Sequence, residues 1–265
     1  MTLPVPLLVQ GVGRLGGALL TGLVDAGAIA PRDLLLVDPA PGDAARRLAE
    51  SGARLDASSH AAPGARGVLL AVKPQGWRAA AEPLAAALAP DVPVVSVLAG
   101  VRLAALREVF GERPLARVMP TTAVEIGQGA ASVYAADPAA QDAAHAIFSP
   151  VATVVDLPDE ALMDAATGVS GSAPAYLYAF VEALEAAGAS AGLTPAASSA
   201  LARSTIAGAA ALMARAATSP AELRAQVTSP GGTTQAALDV LQPALGPLMR
   251  DAVRAAAARS RELGG

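Results

Sequence analysis

Pro6-Leu-Leu-Val-Gln10-Gly11-Val12-Gly13-Arg14-Leu15-Gly16 is the stretch on which the fold turns. Its first part, Pro6 to Gln10, is a short apolar run, and Leu15 to Ala26 follows as a helical pattern without proline. A G-x-G-x-x-G spacing between a strand and a helix has a specific use. Gly11 permits a tight turn, Gly13 lets backbone approach a pyrophosphate, and Gly16 lets helix and strand pack closely. The six residues Gly11, Val12, Gly13, Arg14, Leu15 and Gly16 are therefore candidate cofactor contacts.

A second strand, Leu34 to Val37, ends in Asp38. An acidic group there accepts hydrogen bonds from an adenosine ribose and repels a 2′-phosphate, which favours NAD(H) over NADP(H). The simpler reading is that an Asp before Pro39 starts a turn. Arg46 and Arg47, on the helix that follows, are placed to meet a phosphate instead.

The alternation continues. Asp43 to Ser51 reads as helix, Ala53 to Leu55 and Gly67 to Val72 as strands, and Trp77 to Leu88 as a helix interrupted at Pro83. Val92 to Leu98 is a strand, Leu103 to Phe110 a helix and Leu115 to Met119 a strand; Gly129 to Ala135, Pro138 to Phe148 and Thr153 to Leu157 extend the series. Nearly continuous apolar strands alternating with helices mean a parallel sheet covered on both faces, an α/β class of fold. Ligands of such a sheet bind beyond the carboxyl ends of its strands. Three of those ends carry chemistry: Val72-Lys73-Pro74, with the only lysine of the chain; Ala99-Gly100, where backbone can come close to a nicotinamide; and Met119-Pro120-Thr121-Thr122, with its hydroxyls.

Composition removes several classes. Without cysteine there is neither a disulfide framework nor a thiolate metal site, and two histidines, His60 and His145, leave no material for a zinc centre or a Ser/His triad. A net charge of −4 with 3% aromatics argues against nucleic-acid binding. The mean hydropathy of +0.45 comes mainly from alanine, and Ala196 to Ala217 contains Arg203 and Arg215, which points to a buried helix rather than a membrane span. The N-terminus runs directly into a strand with no charged n-region, so a cytoplasmic location is expected.

From Asp159 onward the strand pattern stops. Asp159 to Thr167, Ala173 to Ala187, Pro195 to Ala217, Pro220 to Val227, Gln235 to Leu241 and Pro247 to Leu263 read as helices. The expected division is a dinucleotide-binding domain over 1–158 and a helical domain over 159–265. The helix from Pro195 is apolar or small on almost every side, so a homo-oligomer is expected to bury it. Between two of these helices lies Val227-Thr-Ser-Pro-Gly-Gly-Thr-Thr234. Pro230 and the paired glycines make it a loop, and Thr233 or Thr234 can cap a helix starting at Gln235. The N–H groups of Gly231, Gly232 and Thr233 would face one concavity at a positive helix end, which suits a carboxylate or phosphate.

Taken together, Gly11 to Gly16, Ala71 to Pro74, Arg117 to Pro120, Val169 to Ser172 with Pro174 to Tyr176, Val227 to Thr234, and the close from Asp251 to Gly264 resemble the pyrroline-5-carboxylate reductase family over essentially the whole chain. The resemblance implies a Rossmann domain followed by a helical dimerisation domain, in dimers or rings of dimers. It implies that Ser229, Gly231, Gly232 and Thr233 hold the carboxylate of a cyclic imine. Thr234 would hydrogen-bond the ring nitrogen as the catalytic group, and loop and cofactor can belong to different subunits. It implies NAD(P)H-dependent formation of L-proline. The chain departs from the family pattern at Thr121-Thr122-Ala123, at Ala173 and at Leu15, the first two bearing on substrate preference. Other readings are a reductase of another cyclic imine, a two-domain hydroxyacid dehydrogenase, and a non-catalytic dinucleotide-binding protein. For the hydroxyacid enzyme, Ala173 to Ala187 supplies only Glu182 and Glu185 as acids, and no Lys or His.

Overall fold

The computed structural model describes residues 2–58 and 62–263, so His60 and Gly264 lie outside the described residues. Two compact units divide the chain: 1–171 together with 255–265, and 172–254. The division expected after residue 158 lies inside the first unit.

In the first unit β1 (Leu7–Gln10) is buried at every position. β2 (Leu34–Val37) and β4 (Gly67–Leu70) flank it, both parallel. The full order is β3-β2-β1-β4-β5-β6-β7-β8, with β3 at Arg54–Asp56, β5 at Val94–Ser96, β6 at Leu115–Pro120, β7 at Gly129–Ala135 and β8 at Ala152–Asp156. The parallel sheet expected from the sequence runs through β6. There the connection is a single 3₁₀ turn, Thr122–Ile126, too short to cross over, and β7 returns antiparallel. Helix α5 (Pro138–Phe148) then carries the chain to β8, which lies parallel to β7.

Side chains alternate across this sheet, which gives two cores. Leu7 and Val9 face α1 (Arg14–Asp25), α2 (Asp43–Glu50) and α5. Leu8 and Val94 face α3 (Trp77–Ala87) and α4 (Leu103–Phe110), where Trp77, Leu84 and Phe110 fill the space. Helix α3 continues through Pro83 rather than stopping there. Pro83 is exposed, so the carbonyl left without a donor can be met by water.

The helix expected from Asp159 to Thr167 is broken into three pieces. A 3₁₀ turn covers Glu160–Leu162, α6 covers Met163–Ala166, and a π turn covers Thr167–Gly171. Thr167 Oγ1 donates to Met163 O at 2.8 Å and Ser170 Oγ to Ala166 O at 2.9 Å. Hydroxyls that take the i−4 carbonyls compete with the α ladder and loosen it.

The second unit holds α7 (Ala173–Ser190), α8 (Pro195–Arg215), α9 (Pro220–Gln226) and most of α10 (Thr233–Leu263). α7 and α8 form a hairpin in which Ser198 Oγ donates to Glu185 O at 2.7 Å, and Ser198 lies so close to Gly188 that a Cβ at that glycine would strike its hydroxyl. Pro243 and Pro247 lie inside α10, where two separate helices were expected. Their four-residue spacing removes two rungs, yet residues 239–250 are all exposed and the orphaned carbonyls can be solvated. The last residues of α10 belong to the first unit, where Ser260 Oγ donates to the buried Asp164 Oδ1 at 2.6 Å. Among the described residues, no helix is long and apolar enough to cross a membrane.

Candidate active site

The strand order reverses between β1 and β4, and the loops of interest follow the carboxyl ends of four adjacent strands, β2, β1, β4 and β5. Gly11 takes φ +93, and its N–H donates to Val37 O at 2.9 Å. A Cβ on Gly11 would lie 2.9 Å from the backbone of Ala71 and Val72, so only glycine lets the first and fourth strands' loops approach this closely. A Cβ on Gly16 would come within 2.5 Å of Gly11 O. Around Gly13, by contrast, a Cβ would meet nothing within 4 Å. Gly13 is the N-cap of α1, and no side chain caps that helix end. The first-turn N–H groups of α1 therefore face an open, positive helix terminus.

Asp38 is held by two backbone donors. Oδ2 accepts from Val12 N at 2.8 Å and Oδ1 from Ala40 N at 2.9 Å. Those bonds tie the glycine-rich turn to the β2–α2 loop and still leave lone pairs on both oxygens. Asp38 lines a cavity of about 410 Å³ between α1 and α2, together with Gly13, Arg14, Ala40, Asp43 and Arg47. Arg46 turns away toward Asp43, at 3.7 Å on the surface. The space and the donor set fit the adenosine and pyrophosphate parts of a dinucleotide. Lys73 is exposed beyond β4, with Val72 and Pro74 half-buried beside it. Gly100 is buried at φ +78 after β5, next to the half-buried Ala99. The cavity also includes Thr21 and Glu125, which the sequence reading did not single out. Glu125 reaches it because Gly22 of α1 lets the backbone at Val124 and Glu125 come against that helix.

In the second unit the loop before α10 is a Pro-Gly turn. Gly232 N donates to Ser229 O at 3.0 Å, with Pro230 and Gly231 between them and Gly231 at φ +70, the arrangement of a type II turn. Helix α10 begins at Thr233, two residues before the expected start, and Gly232 O accepts from Ala236 N at 3.1 Å. Thr233 and Thr234 are thus first-turn residues rather than caps, because the glycine already supplies the N-cap geometry. Since the Gly232 N–H closes the turn, the donors facing outward are the N–H groups of Gly231 and of the first helical turn. Ser229, Gly231, Thr233 and Thr234 are all exposed.

Residues 160–263 match the family model for pyrroline-5-carboxylate reductase dimerisation, and residues 7–100 match one for NADP oxidoreductase coenzyme F420-dependent proteins. The pyrroline-5-carboxylate reductase of Pseudomonas aeruginosa is 37% identical over 259 residues, covering 96% of this chain and 94% of its own length. That of Synechocystis is 37% identical and covers 98% of both chains. Among solved structures, a pyrroline-5-carboxylate reductase from Coxiella burnetii superposes with a TM-score of 0.91 at 28% identity, over 99% of each chain. A Plasmodium falciparum pyrroline carboxylate reductase with NADP bound gives 0.83 at 25% identity, over 100% of each.

Proposed function

Because this chain belongs to the pyrroline-5-carboxylate reductase family, we infer that it reduces the cyclic imine 1-pyrroline-5-carboxylate to L-proline with NAD(P)H. The observation that carries this reading beyond family membership is the exposed Ser229–Gly232 turn opening a 31-residue helix. A turn of this kind offers N–H donors and a helix dipole to one carboxylate.

When bound, the reduced nicotinamide supplies a hydride that adds with its electron pair to the imine carbon, while the ring nitrogen keeps the proton and becomes the secondary amine. The protein's share is binding, orientation and polarisation. Gly11, Val12, Gly13, Arg14, Leu15 and Gly16 take the pyrophosphate at the α1 N-terminus. Val72, Lys73, Pro74, Ala99 and Gly100 border the nicotinamide half. Ser229, Gly231 and Thr233 receive the imine's carboxylate, with Gly232 shaping the turn, and the Thr234 hydroxyl bonds the ring nitrogen. No strong acid is needed when the imine arrives protonated, which suits a site built from hydroxyls and backbone.

NADH is the preferred cofactor in this reading. The Asp38 carboxylate, fixed by Val12 and Ala40, bonds the adenosine ribose and repels a 2′-phosphate. Arg47, in the same cavity, is the residue that would offset that repulsion. The helical unit works as a homo-oligomer, a dimer or ring of dimers, because α7 has no buried residue of its own in a single chain. Loss of reduced-cofactor absorbance with pyrroline-5-carboxylate, compared for NADH and NADPH, tests the whole reading. Turnover with a lower KM for NADH is expected. A lower KM for NADPH would assign cofactor choice to Arg47, and no turnover with either would move the substrate to another cyclic imine.

A further inference from the structure

Outside the cofactor loops, one carboxylate oxygen joins three segments of the first unit. Glu160 Oε1 accepts from Leu103 N at 2.7 Å and from Arg117 Nη1 at 2.8 Å. Leu103 is the first residue of α4, and Arg102 at its N-cap provides no side-chain cap. Glu160, 57 residues away, therefore takes the place of that cap and sets a negative charge at the positive helix end. Arg117 is in the middle of β6 with its side chain only 6% exposed, so its cation depends on this partner.

The three segments share one neighbourhood. Leu103 lies three residues after Gly100, the end of the Ala99–Gly100 turn beyond β5. Arg117 pairs with Ser96, the last residue of β5, and lies two residues before Met119. Met119 in turn packs on the π turn, where a Cβ on Gly171 would sit 3.4 Å from its Sδ. Glu160 precedes that same π turn by a few residues.

We propose that Glu160 is a positioning residue for hydride transfer: through Leu103 N–H and Arg117 it fixes the Ala99–Gly100 turn and the Met119 end of β6 on the nicotinamide side of the site. The proposal rests on the assignment of the Ala99–Gly100 turn to the nicotinamide half, with the Met119 end of β6 on the neighbouring strand. It separates two parts of cofactor binding. The adenosine and pyrophosphate contacts, centred on Gly13 and Asp38, are independent of Glu160, whereas the placement of the reacting end depends on it.

The test uses the full-length wild type, Glu160→Ala and Glu160→Gln, the last keeping an acceptor for Leu103 N–H while losing the charge facing Arg117. Affinities for NADH and for ADP-ribose, which lacks the nicotinamide, are measured alongside the isotope effect on kcat with 4-deuterated NADH. In Glu160→Ala the NADH dissociation constant is expected to rise about threefold or more while that for ADP-ribose stays unchanged, and the isotope effect to increase as hydride transfer becomes slower. Glu160→Gln should fall between wild type and Glu160→Ala in both. Equal weakening of NADH and ADP-ribose, or wild-type values throughout, would overturn the proposal. Should Glu160→Ala not fold, wild-type binding and isotope effect in Glu160→Gln would overturn it equally. If the wild type turns over no pyrroline-5-carboxylate, the reaction assignment fails, while the NADH to ADP-ribose comparison still decides the role of Glu160.

Discussion

The sheet unit and the helical unit of this chain bury their apolar residues on opposite terms. In the first, both faces of the sheet are closed by its own helices, and Leu7, Leu8, Phe110 and Phe148 are fully buried. In the second, α7 buries nothing and α8 buries only Ser198 and Ala202, while Tyr178 is 63%, Leu212 68% and Val240 76% exposed. The contrast teaches that one unit carries its core within a single chain, whereas the other has the composition of a core without the enclosure. Large apolar residues left exposed in such number along α7, α8 and α10 point to an interaction site rather than a solvent face.

The comparison can be broken from either side. Phe110→Ala should cost about 3–5 kcal/mol of stability in chemical denaturation, because its cavity lies wholly within one chain and no partner can fill it. A protein-concentration dependence of that loss would deny the first unit its self-sufficiency. Next in size, Thr234→Ala in the exposed first turn of α10 should leave the fold intact and lower turnover by about 1–3 kcal/mol of lost hydrogen bonding, with NADH affinity unchanged. Unchanged kcat would take Thr234 out of the chemistry. Leu212→Ser should shift the unfolding of the separated chain by only about 0.5 kcal/mol or less, as an exposed substitution does. The same change should weaken self-association in sedimentation by about 1.5 kcal/mol or more, if a second copy covers the residue. Association as tight as wild type would mean that this part of α8 stays wet.

The smallest effect concerns α9. Glu222 accepts from Ser219 N and from Ser219 Oγ, both at 2.8 Å, and the backbone bond, then the hydroxyl, holds its carboxyl below the ordinary value. A carboxylate with a depressed folded pKa contributes above its unfolded pKa and loses that contribution as pH falls through the folded one. Amide protection in α9, taken relative to the intrinsic exchange rate at each pH, should therefore fall as pH drops below the usual carboxylate range, and Glu222→Gln should flatten that dependence. Protection that does not change with pH in wild type would remove the capping box as a determinant.

How far the sequence reached follows the same contrast. The inner strands of the first unit were legible because β1, β4 and β5 are buried apolar runs between turn residues, and Gly11, Gly13 and Gly16 stand where the strand-to-helix turn requires them. The reversal at β7 was not, since an apolar strand reads alike in either direction and only the shortness of the 122–126 turn decides it. In the helical half, Pro230 and Gly231 announced their turn. Pro243 and Pro247 misled, because proline's penalty is severe in a packed helix and milder where solvent can reach the freed carbonyls. Asp38 was found by its place after β2, but its bonds to Val12 and Ala40 arise only once the glycine-rich turn and the β2–α2 loop meet in the fold. The Glu160–Leu103 bond left no trace, since nothing local links residues 57 apart.

Helix α10 starts in one unit and finishes in the other, and that turns the helical unit into an insertion rather than an appendage. Its chain enters after Gly171 and leaves at Arg254, so it is leashed at both ends, with the outgoing leash fastened by Ser260 to Asp164. One protease cut at the 171–172 joint would nick the molecule without releasing either piece. Grafting this helical unit onto another dinucleotide-binding scaffold would require two splices, and the second would have to bring residues 255–263 along with it.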